Sequence, residues 1–175
     1  MADFLKTDLQ SAIRNRKSAI VMSFVRLTHI GVCVSDWERS LRFYRDVLGF
    51  TYLSELQVAG EPSSTLLQLA NVELRAIYLE RDGTRIELLH YPAPGHCGEA
   101  RPRPMNQLGL THLSLRVDNL AATLADLEKA GVQILQRTHI DIPDFGAAAI
   151  FITDPDGTLI ELVQAPGDPA VPPGA

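Results

Sequence analysis

Residues 27–34 read LTHIGVCV, and residues 110–117 read LTHLSLRV, so one segment occurs twice in the chain. In both copies aliphatic residues alternate with polar or small ones, which is the period of a half-buried β-strand. In the first copy His29, Gly31 and Cys33 are expected on one face, with aliphatic side chains on the other. The repeat predicts two related modules.

A helical pattern follows each copy. Asp36 is a candidate N-cap for the first helix, and either Asp118 or Asn119 for the second. Glycines suited to the C′ position end both patterns, and apolar residues recur at helical spacing between the ends. The glycines are Gly49 and Gly131, and the apolar stripes are Trp37, Leu41, Tyr44 and Leu48, then Leu120, Leu124 and Leu127.

The ends of the two copies are even more alike. Residues 82–89 read DGTRIELL and align without gaps with residues 156–163, DGTLIELV. Asp-Gly between apolar runs predicts a tight hairpin. The predicted hairpin strands are 75–79 with 84–90 and 148–153 with 158–164, after weaker strands at 50–56 and 133–137. Each copy therefore reads βαβββ, and we predict an α+β fold whose two tandem modules form a half-barrel-like cavity.

Composition and the placement of Pro and Gly residues suggest the domain organisation of the chain. The modules are expected at 25–92 and 109–166, joined by a Pro- and Gly-rich linker at 93–108 and flanked by an N-terminal extension with a helical pattern (1–24) and a disordered tail (167–175). A net charge of −5 argues against a nucleic-acid partner. No apolar run is long enough for a membrane span. Two cysteines without a secretory signal favour the cytoplasm.

Two His and two Glu stand at equivalent positions of the copies: His29, Glu87, His112 and Glu161. In each copy the Glu stands between two aliphatic residues whose side chains point to the opposite face of the strand. Burial of an unpaired carboxylate is costly, so each Glu is expected to have a partner. A lone strand His or Glu is more often structural or solvent-facing, but recurrence in both copies favours a shared metal site. Two imidazoles and two carboxylates suit Zn²⁺, Ni²⁺, Co²⁺, Mn²⁺ or Fe²⁺ and are too rich in nitrogen for Ca²⁺.

The motifs LTHIGVxVxD and RSLxFYxxVLGF (residues 27–50) and DPDGTxIEL (residues 154–162) resemble those of the vicinal oxygen chelate superfamily. This group contains glyoxalases, bleomycin-resistance proteins and extradiol dioxygenases. The resemblance covers residues 26–165, and the His–Glu–His–Glu order is most similar to glyoxalase I and methylmalonyl-CoA epimerase. It implies one divalent metal per site, a small-molecule substrate and a homodimer. Relatives close their sites within one chain or across a dimer, and the prediction to test is convergence within one chain.

The resemblance implies a lyase or isomerase of glyoxalase type that proceeds through a metal-stabilised enediolate or enolate. Glu161 is the expected base and Glu87 the second candidate. Candidate substrate contacts are Arg116, Cys33, Tyr91 and Phe145; Cys33 and Tyr91 replace the Arg and Asn that bind glutathione in glutathione-dependent relatives. Two alternatives stay open. One is an Fe²⁺ extradiol-type dioxygenase with ligands His29, His112 and Glu161, and the other is a small-molecule binding protein without turnover.

Overall fold

The computed structural model describes residues 23–171. The first module contains β1 (Ile30–Cys33), α1 (Trp37–Arg42), β2 (Thr51–Ala59), α2 (Glu61–Leu67), β3 (Glu73–Arg81) and β4 (Thr84–Ala93). The second contains β5 (His112–Arg116), α3 (Leu120–Lys129), β6 (Ile134–Ile142), β7 (Ala147–Thr153) and β8 (Leu159–Gln164). The predicted βαβββ order is confirmed, with α2 as an addition in the first module. The predictions for residues 1–22 and 172–175 fall outside the described residues.

Each module forms its own four-stranded sheet, in the orders β1-β4-β3-β2 and β5-β8-β7-β6. The first strand of each module pairs in parallel with the last, and the remaining pairs are antiparallel. The registers are equivalent, because Gly31 lies opposite Glu87 in the first sheet and Ser114 lies opposite Glu161 in the second. The sequence repeat is therefore a repeat of structure, and the predicted α+β class is confirmed.

Helices α1 and α3 begin at predicted N-caps. At the start of α1 the Asp36 side chain accepts a hydrogen bond from the backbone N–H of Arg39. At the start of α3 the cap is Asn119, one of the two residues predicted for it, which accepts a hydrogen bond from the backbone N–H of Ala122. Gly49 and Gly131 follow the helices with φ of 72° and 73°, in the left-handed region that glycine adopts without strain. The continuation of α1 as a π-helical segment, Phe43–Val47, was not predicted.

The two modules share one hydrophobic core on their helix-bearing sides. Tyr44 of the π-helical segment is completely buried in it, and Leu127 of α3 is also buried. The strands, together with Val34 directly after β1, contribute the aliphatic residues Val32, Ile77, Leu79, Ile86, Leu88, Ile150, Ile152, Ile160 and Leu162. Burial of aliphatic side chains is the main driving force for this association. The opposite face of each sheet carries the candidate ligands and does not pack against the other module.

The turn of the last hairpin, between β7 and β8, also joins the modules. The Asp156 carboxylate accepts hydrogen bonds of 2.9 Å from the Ser35 backbone N–H and from the Arg39 guanidinium. On the other side the linker backbone packs closely, since a Cβ built on Gly157 would lie 2.5 Å from the carbonyl carbon of Arg101. Glycine is therefore required at this position by space as well as by its φ of +88°.

The second sheet extends further than the sequence pattern indicates. Ile140, Asp141 and Ile142 pair with Ala149, Ala148 and Ala147 of β7, so β6 runs beyond the predicted strand at 133–137. Only a 3₁₀ turn, Pro143–Phe145, and Gly146 separate β6 from β7. Proline ends β6 here because it lacks the N–H that the ladder needs.

Within residues 23–171 the helices are too short or too polar to cross a membrane.

Candidate metal centre

Each module brings one imidazole next to one carboxylate. His29 directly precedes β1, and its Nε2 lies 2.9 Å from Oε2 of Glu87 on the neighbouring strand β4. His112 begins β5, and its Nε2 lies 3.7 Å from Oε2 of Glu161 on β8. These distances and the equivalent registers place the His and the Glu of each module side by side on one face of its sheet.

The ring orientation and the spacing of each pair fit metal ligation. The Thr28 hydroxyl lies 3.2 Å from Nδ1 of His29, and the Thr111 hydroxyl lies 2.9 Å from Nδ1 of His112. Metal-binding histidines are commonly held in this way at one nitrogen while the other faces the ion. Neighbouring ligand atoms bound at about 2.0–2.2 Å to one ion are roughly 3–3.5 Å apart, close to the two observed separations. Each pair therefore fits half of a four-ligand centre.

An aromatic ring accompanies each pair. Tyr78 lies directly opposite Glu87 in the β3–β4 ladder, and its ring packs edge-on against His29 with centroids 5.6 Å apart. Phe151 lies opposite Glu161 and packs against His112 in the same manner, at 5.4 Å. Interaction with the neighbouring Glu87 carboxylate, together with burial, raises the pKa of Tyr78 to about 12. Sequence reasoning missed both aromatic residues, although counting outward from the Asp-Gly turn would have found Tyr78.

The two pairs do not meet in a single chain. Across the described range 23–171, no group of three or more His, Cys, Asp or Glu side chains is arranged to hold a metal ion. The prediction that all four ligands converge within one chain is therefore wrong. The reason is the packing of the modules: their apolar, helix-bearing faces share the core, so each ligand pair faces away from it.

A cavity of about 400 Å³ lies instead between the edge strands β1 and β5. Its walls include His112 and Cys33, together with linker residues 96–101. Burial and the nearby Cys97 raise the pKa of the Cys33 thiol, which disfavours the reactive thiolate. Cys33 therefore forms part of a cavity wall and is not an activated nucleophile.

The other predicted substrate contacts differ in their surroundings. Tyr91 lies on the same face of β4 as Glu87, and burial raises the pKa of its phenol. Phe145 is 72% exposed in the 3₁₀ turn. The guanidinium of Arg116 donates hydrogen bonds to the backbone carbonyls of Ala165 and Pro166. Arg116 therefore anchors the segment after β8 in this structure, a role that its sequence position did not indicate.

Comparison with known proteins agrees with this architecture. Residues 26–162 match the family model described as the Glyoxalase/Bleomycin resistance protein/Dioxygenase superfamily. Mitochondrial methylmalonyl-CoA epimerase of Mus musculus is 31% identical over 157 residues, covering 86% of this chain and 79% of that protein. Lactoylglutathione lyase of Pseudomonas aeruginosa is 29% identical over 173 residues, covering 91% and 93%.

Solved structures show the same fold. A glyoxalase family protein from Bacillus cereus superposes with a TM-score of 0.72 at 19% identity, covering 85% of this chain and 99% of that one. Glyoxalase I of Leishmania major superposes with a TM-score of 0.56 at 23% identity, covering 79% and 86%. From the family match over most of its length and the repeated His–Glu pairs at equivalent registers, the chain belongs to the glyoxalase/bleomycin resistance protein/dioxygenase superfamily.

Proposed function

We propose that this protein is a divalent-metal-dependent lyase or isomerase of glyoxalase type that acts on a small oxygenated substrate. The observation that carries the proposal is the pair of equivalent His–Glu contacts, at 2.9 Å and 3.7 Å, each on a sheet face that points away from the core. Similar proteins include an epimerase and a lyase, which supports an enzyme over a binding protein without turnover.

We further propose that the metal site is completed by a second copy of the chain. His29 and Glu87 would act with the partner subunit's His112 and the partner subunit's Glu161. A two-fold dimer that pairs unlike modules would use every ligand pair once and form two identical sites. This arrangement reconciles the predicted four-ligand set with the separation of the pairs in one chain.

The ligand side chains have distinct tasks in this proposal. When bound, a Zn²⁺, Ni²⁺, Co²⁺ or Mn²⁺ ion would polarise neighbouring substrate oxygens and acidify the adjacent C–H bond. The Nε2 atoms of both histidines hold the ion, while the Thr28 and Thr111 hydroxyls fix the rings. A Glu161 carboxylate oxygen moves the substrate proton. This side chain is the better candidate because it is 29% exposed and its Oε2 lies 3.7 Å from His112, whereas Oε2 of Glu87 lies 2.9 Å from His29.

Metal analysis of the purified protein tests the ligand set. We expect about one divalent ion per chain in the wild type and a clear loss in both Glu87→Ala and Glu161→Ala. Glu128→Ala, at an exposed position of α3, is the matched control and should keep its metal. Full metal content in both ligand variants would refute the four-ligand centre. Oxygen-sensitive Fe²⁺ would favour the dioxygenase alternative, and a metal-free wild type would favour a binding protein.

A mixing experiment tests the shared site. His29→Ala and His112→Ala are each expected to lose metal when produced alone. When the two are co-expressed, about half of the dimers are mixed and one of their two sites is intact, so about a quarter of the wild-type metal content should return. A site closed within one chain would regain none, and this outcome would refute the dimeric arrangement.

A further inference from the structure

Both cysteines of the chain line the cavity between β1 and β5. Cys33 is the last residue of β1, and Cys97 lies in the linker between the modules. Both are free thiols at exposed positions, and the sequence contains no other cysteine. One wall of the cavity thus carries one thiol, a second wall carries the other, and both can be reached by the same small reagent.

The course of the chain returns Cys97 to the level of Cys33. Cys33 pairs with Leu89 of β4, and β4 continues four residues further, to Ala93. Cys97 follows Ala93 by another four residues. An extended chain advances about 3.3 Å per residue, so the outward and the return stretch can each span about 13 Å. Because residues 96–101 line the same cavity as β1, the chain does turn back towards that strand.

Glycines on both sides of Cys97 allow the linker to adjust. Gly95 and Gly98 have φ of +92° and +93°, a region that glycine adopts without a steric penalty. A Cβ built on either glycine would meet no atom within 4 Å, so open space surrounds the backbone next to Cys97. A disulfide needs its two Cα atoms within about 4.4–6.8 Å of each other, and a glycine-flanked linker in open space can make this approach.

We propose that Cys33 and Cys97 form a reversible disulfide when the protein meets a peroxide, and that this bond tethers the linker to β1 across the cavity. The pair is then a redox-sensitive modification site that is independent of the proposed metal site. Exposed pairs that are oxidised and reduced reversibly are typical of redox sensing, whereas structural disulfides resist reduction. The tether holds residues 96–101 in place and restricts the opening of the cavity.

The oxidation has two balanced steps. Cys97 reacts first, because burial and the nearby Cys97 raise the pKa of the Cys33 thiol. One hydrogen peroxide molecule oxidises the Cys97 thiol to a sulfenic acid and releases one water. The Cys33 sulfur then attacks the sulfenic sulfur, and its proton leaves with the hydroxyl group as a second water. Two thiols have given two electrons to the O–O bond, and the S–S bond has formed.

Intact-mass spectrometry of the full chain tests the pair. We expect peroxide to lower the mass by about 2 Da with the loss of both free thiols, and dithiothreitol to restore the mass and the thiols. Peptide mapping should recover a crosslink between Cys33 and Cys97. Cys33→Ser and Cys97→Ser each keep one thiol and are the matched variants. Peroxide should raise their masses in steps of about 16 Da, because a sulfenic acid without a partner thiol is oxidised further.

Non-reducing electrophoresis distinguishes a bond within one chain from a bond between two chains. The oxidised wild type should migrate as a single chain. A crosslinked pair of chains, or a wild type that gains about 16 Da like the single-cysteine variants, would overturn the proposal.

Hydrogen exchange tests the tether itself. Backbone amides of residues 96–101 should exchange more slowly in the oxidised than in the reduced wild type, and Cys97→Ser should show no such difference after the same treatment. The melting temperature of the oxidised wild type should rise by about 5 °C or more, because a crosslink between these distant positions restricts the unfolded chain. Equal exchange in the oxidised and reduced proteins would refute the tether across the cavity.

Discussion

The phenol oxygen of Tyr44 donates a hydrogen bond of 2.9 Å to Oδ2 of Asp154 in the interior of the protein. Tyr44 belongs to the helical segment of the first module, and Asp154 precedes the last hairpin turn of the second. Oδ1 of the same carboxylate accepts from the backbone N–H groups of Asp156 and Thr158, at 2.9 Å and 2.7 Å. One buried carboxylate thus shapes the turn and joins the two modules.

Tyr44→Phe should therefore destabilise the protein by about 1–3 kcal/mol, because Asp154 loses a partner that water cannot replace. The free energy of unfolding from urea denaturation measures the loss. Tyr52→Phe is the control, since the Tyr52 ring is 42% exposed, and its stability should stay within about 0.5 kcal/mol of wild type. Equal stabilities of the two variants would contradict the role of the buried hydrogen bond.

Asp154 should also affect the pH dependence of stability. Burial raises the pKa of its carboxyl group above the ordinary value of 3.8. Between 3.8 and the raised value the native state holds more protons at this site than the unfolded state, so the contribution of Asp154 to stability falls as pH rises through that window. It is most favourable below 3.8 and fully lost above the native pKa.

Asp154→Asn removes this titration. The free energy of unfolding, measured from about pH 3.5 upward, should decline less with rising pH in the variant than in the wild type. The difference between the two curves isolates Asp154, because the other carboxylates titrate alike in both proteins. Parallel curves would show that the pKa of the Asp154 carboxyl group is not raised in the native state.

Gly157 and Gly83 form a matched pair, as the same residue of the Asp-Gly turn in each module. Both have positive φ, of 88° and 77°. Gly83→Ala should cost about 1–2 kcal/mol for the left-handed backbone alone. Gly157→Ala should cost clearly more, because its Cβ would overlap the Arg101 backbone at 2.5 Å, whereas no atom lies within 4 Å at Gly83. Equal losses in melting temperature would refute the close approach of the linker.

Arg116→Ala should lower the melting temperature without changing the Co²⁺ affinity. The guanidinium contacts the carbonyls of Ala165 and Pro166, so its loss releases the segment after β8. Limited proteolysis should detect earlier cleavage in this segment. Arg137→Ala, at an exposed position of β6, is the control and should behave as wild type. A specific loss of Co²⁺ affinity in Arg116→Ala would instead place this residue in the metal site.

Much of each module was predictable because its signals are local. Alternation along a strand assigns His29 and Cys33 to one face, and the Asp-Gly turns set the hairpin registers that bring Glu87 and Glu161 beside their histidines. The cap of the first helix was equally clear, and that of the second was narrowed to Asp118 or Asn119. By contrast, α2 arises from EPSSTLL, a short stretch of modest helix propensity whose two serines and threonine favour caps and turns as readily.

Local sequence signals specify two βαβββ modules and, in each, a histidine placed next to a glutamate, because strand period and turn chemistry act over a few residues. The packing of the folded chain, in contrast, brings the apolar faces of the modules together in one core and turns the two ligand pairs apart. Both modules bury similar aliphatic faces, and burial of such surface is non-directional. Which surfaces meet therefore depends on the packing of the whole chain, including the hydrogen bond from Tyr44 to Asp154.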